Sequence, residues 1–127
     1  MERAVELYAA VNFFVIGLSH IVARRAWAEF FIRLNALGHT GVFINGFLSL
    51  MFGSIIVAFH NVWSGLPVIL TVIGWAQVLK AFIAFVFPSV SARGIGRVRL
   101  ERDWEFAIGG VLFLALGALM VYLVVRG

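Results

Sequence analysis

Lys80 is the only charged side chain between Arg33 and Arg93, and it stands inside an apolar stretch long enough to cross a membrane. A formal charge in hydrocarbon costs at least about 2.5–3.5 kcal/mol on insertion scales, so it needs a route to the interface, a polar partner or a function. Pro88 closes the stretch eight residues later, which puts Lys80 roughly 12 Å deep at helical rise. Snorkelling recovers part of that depth. Gln77 precedes Lys80 by one turn on a face shared with the small Ala76 and Ala84, a face expected to turn into a bundle rather than toward lipid. Asn45 and Asn12 fall in the same leaflet on two other apolar stretches. Asn12, Asn45, Gln77 and Lys80 are therefore expected to form one polar cluster. It is a structural hydrogen-bond network with Lys80 partly snorkelled, a site for a solute, an ion or a proton, or a contact with a partner subunit or a lipid headgroup. Among carboxylates, Glu105 is nearest by leaflet, while Glu6 belongs near the opposite face.

The three histidines raise haem or metal ligation. Bis-imidazole ligation needs two rings facing each other at one depth, which only His20 and His39 approach, since His60 lies at the other boundary. Both sit at helix ends, where a wetted imidazole is the ordinary outcome, so no cofactor and no metal is expected. Nucleophilic catalysis has no foothold: there is no His-Ser-carboxylate grouping, no paired intramembrane carboxylates and no phosphate-cradling loop. Gly94-Ile95-Gly96 lacks the strand, helix and third glycine of a nucleotide site. The chain reads as non-enzymatic.

The elements that must position these residues follow from composition. Of 127 residues, 63% are apolar, and mean hydropathy is +1.05. A water-soluble domain of this size leaves too much surface exposed to hide so much apolar area. There is no cysteine, which excludes disulfides and thiolate metal sites. The net charge of +4 flanks apolar spans, which points to topology and anionic headgroups and not to nucleic acid. The N-terminal stretch lacks a basic region and a clear cleavage site, and reads as a retained first helix.

Four stretches, about 4–22, 40–60, 66–87 and 104–125, have the roughly 20 residues a bilayer core demands. None shows strict alternation, so helices are expected, not a barrel. The fold class is all-α: a four-transmembrane-helix bundle in a single transmembrane domain. Between the first two spans, Trp27, Phe30, Phe31, Leu34 and Leu37 recur at helical spacing with Arg25, Glu29 and Arg33 opposite. That pattern predicts a short interfacial amphipathic helix, the other reading being an extension of the first span. The connection after Pro88 reads as irregular. Asn61-Val62-Trp63-Ser64-Gly65 is a tight hairpin without a basic residue.

Arg24, Arg25, Arg33, Arg93, Arg97, Arg99 and Arg102 crowd one side, against Arg3 and Arg126 on the other. The positive-inside rule makes that side cytoplasmic and both termini external. The seven arginines are candidate lipid-headgroup contacts, or a solvated loop obeying the topology rule. Gly46, Ser49 and Gly53 share a face of the second span, and Gly110 and Gly117 one of the fourth; small residues there allow close backbone approach.

His60-Asn61-Val62-Trp63, then Pro67-Val68-Ile69-Leu70-Thr71-Val72-Ile73-Gly74-Trp75, then Lys80 and Phe87-Pro88, resemble a family of small four-span bacterial inner-membrane proteins. Its members share an H-N-x-W hairpin, an apolar P-V-x-x-T-x-x-G-W and a third-helix lysine, usually followed by glycine where Ala81 stands here. The resemblance implies the four-span fold and interest in His60, Trp63, Gly74, Trp75 and Lys80, but brings no activity. Two other four-span classes part from this chain at the residues that matter. Small multidrug transporters carry a mid-helix glutamate where the first span has Asn12. Small fluoride channels have a broken third helix, continuous here.

The expected function is a non-catalytic accessory or interaction subunit of a larger inner-membrane assembly, with lipids and other subunits or further copies of itself as partners. The rival is a small transporter or channel working through the cluster around Lys80. A redox subunit holding haem or quinone through His20 and His39 trails both.

Overall fold

Lipid offers the backbone no hydrogen-bond partner, so uncharged runs of this length must close their bonds internally as helices. The computed structural model, which describes residues 2–126, shows this. Its helices are α1 (Glu2–Val22), α2 (Arg24–Ala36), α3 (His39–Phe59), α4 (Val68–Val86), α5 (Pro88–Ile95) and α6 (Trp104–Arg126), with a 3-10 turn at Leu100–Arg102. No strand occurs among the described residues. α1, α3, α4 and α6 are long and apolar enough to cross a membrane. Their limits fall within two residues of those expected from the sequence.

The chain forms two compact units, one of the residues up to Ala28 with those from Leu100 onward, the other Glu29–Arg99. In the first, α1 packs on α6. Phe13 stacks on Phe113 with ring centroids 5.9 Å apart, and His20 lies 5.7 Å from Phe106. Numbers rise along α1 as they fall along α6, so the pair is antiparallel. Between these rings Gly17 meets Gly110: a Cβ on Gly110 would stand 2.5 Å from the Gly17 carbonyl oxygen, and one on Gly17 2.9 Å from the Gly110 oxygen.

The chain bends where α1 gives way to α2. The Trp27 indole N–H donates to Ser19 Oγ at 2.8 Å, and its ring stacks on His20 at 4.3 Å. Eight residues of straight helix rise about 12 Å, beyond the reach of one indole, so the turn at Ala23 folds α2 back. α2 is thus a separate amphipathic helix and no extension of α1. Ala28 and Leu34 are buried, while Arg25 and Arg33 are exposed; Leu37 lies past the helix end and is exposed as well.

In the second unit α3 packs on α4, and α5 lies against both. A Cβ on Gly53 would stand 2.8 Å from the Gly74 oxygen, and one on Gly74 2.5 Å from Ile56 Cγ2. This is the α1·α6 device again, and the same sequence separation parts Gly17 from Gly74 and Gly53 from Gly110. Phe43 and Phe47 pack on Phe85 at 5.4 and 5.0 Å. The segment after Pro88, expected to be irregular, is the helix α5. Its proline occupies the first turn, where a missing N–H costs nothing and φ is already helical. Leu34 of α2, Val42 of α3, Ala84 of α4 and Ile95 of α5 share a small core, covered by Phe30, Phe31 and Ala92. Gly38, with φ of 64°, makes the turn from α2 into α3 in a backbone region that side chains disfavour.

Candidate functional site

Lys80 stands on the flank of α4 and not in its seam with α3. At about 100° per residue it lies roughly 100° round the helix from the line of Gly74 and Ala81 that meets α3. It is exposed, against the expectation of an enclosed face, whereas Ala81 and Ala84 are buried. Helix-turn geometry explains the difference: Gln77, Lys80 and Ala84 share one side of α4, but the closest approaches to α3 run through Gly74, Gln77 Cβ and Ala84, leaving Lys80 farther round the helix.

The same wheel places the partners. On α3, Phe43 and Phe47 lie to one side of the Gly46–Gly53 line, Asn45 and Ser49 to the other. Because Phe43 and Phe47 meet Phe85, the antiparallel pair has an aromatic flank and an opposite flank bearing Asn45, Ser49, Gln77 and Lys80. Gly46 sits opposite Ala84 and Gly53 opposite Gln77, which sets Ser49 level with Ala81, one residue from Lys80. Asn45 is 7% exposed and Ser49 5%. No side-chain hydrogen bond or ion pair involves any of these four among the described residues. Three of the four residues expected to cluster thus belong to one polar flank, joined by Ser49, which the sequence marked only for packing. Asn12 belongs to the other unit, and its amide donates to the Tyr8 carbonyl at 2.9 Å within its own helix. Glu105 is engaged by Arg102 at 2.7 Å.

A second polar group closes the α3–α4 hairpin. Thr71 and His60 are fully buried. The Thr71 hydroxyl has one proton, directed at the Val62 carbonyl at 2.8 Å with the His60 carbonyl at 3.1 Å as the alternative acceptor. Its oxygen accepts the Val62 N–H at 3.1 Å and, in the Nδ1–H tautomer, the His60 ring at 3.2 Å. Asn61 Nδ2 donates to the Val57 carbonyl at 3.2 Å. Its oxygen receives the indole N–H of Trp63 at 3.0 Å and of Trp75 at 3.3 Å. His60, Asn61, Trp63, Thr71 and Trp75 are therefore a hydrogen-bonded knot that ties the loop to α4, while Gly74 lies in the seam with α3.

His20 is not wetted at a helix end. Its Nδ1 lies 2.8 Å from the Ile16 carbonyl, and Trp27, Phe106 and Phe113 surround the ring. His39 is exposed, in the other unit. Among the described residues no group of three or more His, Cys, Asp or Glu side chains is arranged to hold a metal ion.

These features define a small integral, multi-pass helical membrane protein. No family model, no curated protein and no solved structure matches the chain.

Proposed function

We propose that the protein is a non-catalytic accessory subunit of a bacterial inner-membrane assembly, with connections α1–α3 and α4–α6 cytoplasmic, and that the polar flank of α3·α4 is where it meets its partner. The supporting observation is Lys80, a cation inside a span, exposed and without a hydrogen bond or ion pair among the described residues. A charge at that depth needs an acceptor, and a carboxylate or amide on a partner's transmembrane helix supplies one. Asn45, Ser49 and Gln77 add hydrogen-bonding capacity on the same flank, each bond across helices contributing roughly 0.6–2 kcal/mol in lipid.

Affinity capture of the tagged chain from native membranes in mild detergent is expected to retain a second subunit, and Lys80→Met to lose it. A wild-type chain that runs alone as a small homo-oligomer overturns the reading. A second reading, passage of a small solute along this flank, is favoured by Asn45 and Ser49, whose side chains form no hydrogen bond among the described residues and whose polar atoms stay accessible along the flank. Liposome flux that survives Lys80→Met removes Lys80 from that role.

A further inference from the structure

The seven arginines on the basic side divide into two classes, a division their sequence positions do not reveal. Arg24 pairs with Asp103 at 3.7 Å. Arg102 pairs with Glu105 at 2.7 Å and lies over the Trp104 ring at 5.9 Å. Arg25 also has a partner within the chain. Arg33, Arg93, Arg97 and Arg99 are exposed, and none forms an ion pair or side-chain hydrogen bond among the described residues. All four belong to the Glu29–Arg99 unit.

That unit also gathers them at one end. α3 begins and α4 ends there, and the core of Leu34, Val42, Ala84 and Ile95 clamps α2 and α5 over those ends. Asn35 and Gly96 are neighbours across the clamp, with Asn35 Oδ1 3.5 Å from where a Gly96 Cβ would stand. Arg97 follows Gly96 at this contact, while Arg33, two residues before Asn35, lies on the opposite side of α2. Exposed apolar side chains alternate with the free guanidinium groups: Ile32 and Leu37 by α2, Phe87 and Val90 by α5. Such a surface, with apolar side chains to enter the acyl boundary and cations held beside them, matches an interfacial helix lying among anionic headgroups. Arginine, not lysine, fills all four positions. The topology rule is served by either, but the planar guanidinium fork binds a phosphate bidentately.

We infer that Arg33, Arg93, Arg97 and Arg99 form a basic surface that binds anionic phospholipid, headgroup phosphates meeting the free guanidinium groups of α2 and of the segment from α5 onward, and acyl chains lying against Ile32, Phe87 and Val90. This inference does not depend on what partner the flank that carries Lys80 meets.

The test uses the full chain purified in detergent, with phosphatidylglycerol or phosphatidylcholine added and retained lipid counted by native mass spectrometry. The wild type is expected to retain phosphatidylglycerol over phosphatidylcholine. At roughly fivefold per basic residue near an anionic surface, the variant with all four arginines changed to Gln should bind about 600-fold more weakly. Arg24→Gln, whose guanidinium is already taken by Asp103, should bind like the wild type. If the fourfold variant loses helicity, Arg93→Gln/Arg97→Gln is read in its place, with a loss of about 25-fold on the same scale. Equal retention of both lipids overturns the inference. So does equal loss in Arg24→Gln, which would make the effect one of general charge. Displacement of the lipid by inorganic phosphate at matched ionic strength also overturns it, because the site would then take the ion and not the lipid.

Discussion

Thr71→Val is expected to be among the most destabilising isosteric changes in this chain, lowering stability by about 2–4 kcal/mol. Valine reproduces the shape of threonine and removes only the hydroxyl. That hydroxyl serves the Val62 carbonyl at 2.8 Å, the Val62 N–H at 3.1 Å and the His60 ring at 3.2 Å. His60 and Thr71 are fully buried, so water has no access to replace what is lost, and a buried polar group without its partner bears its full desolvation cost. The α3 helix ends at Phe59, and its cap, the His60 N–H to the Ile56 carbonyl at 2.7 Å, adjoins the same group. Loosening it frays the helix end and the loop together. Thr71→Ser keeps the hydroxyl and should recover most of the loss. The measurement is the midpoint of SDS-induced unfolding in mixed micelles, followed by circular dichroism. A Thr71→Val midpoint indistinguishable from the wild type would show that the loop is held by the tryptophan–Asn61 bonds alone.

How much of this was legible beforehand depended on the type of force. Length and hydropathy act over whole segments, and they set the four spans to within two residues, because the bilayer's thickness and its lack of hydrogen-bond partners leave few alternatives. α2 was legible for the same reason: its apolar stripe repeats at helical spacing. α5 was not, since Gly94, Gly96 and two serines argue against a helix locally, and only Pro88 at its start and the burial of Ile95 against Leu34 argue for it. The polar cluster was half legible. Depth can be read by counting residues, and Asn45, Gln77 and Lys80 do belong to one unit, whereas Asn12 belongs to the other. Azimuth depends on where the closest helix approach falls. Glycine decides that here, turning Lys80 outward and bringing in Ser49. Partnering was illegible throughout: the sequence gives Asn12 an amide, but only coordinates show that the Tyr8 carbonyl takes it. The arginines are the clearest case, seven identical side chains of which, among the described residues, three are engaged and four are not.

The two glycine seams yield the other large expectation. Gly110→Ile should separate α1 from α6. Its new Cβ would sit 2.5 Å from the Gly17 oxygen, 2.8 Å from Ile21 Cγ1 and 3.0 Å from His20 Cβ. Side chains can rotate away, but a backbone carbonyl cannot, so the helices must move apart along their whole contact. Overpacking of this kind costs about 1–3 kcal/mol in ordinary cores, and the upper end is expected where backbone meets backbone. Association of transmembrane helices relies on close packing and gains nothing from burying apolar surface, since lipid is equally apolar. The seam therefore has little else to fall back on. Gly109, next in sequence, faces open space, with nothing within 4 Å of its would-be Cβ, and Gly109→Ala should be silent. The readout can be specific to this seam because the chain has no cysteine of its own. Cysteines placed at Phe13 and Phe113, whose ring centroids lie 5.9 Å apart, should form an oxidative cross-link in the otherwise native chain. In the Gly110→Ile background the cross-link should fall several-fold while the Gly109→Ala background keeps it. Undiminished cross-linking with isoleucine at position 110 would mean that α1 and α6 do not owe their contact to the glycine pair.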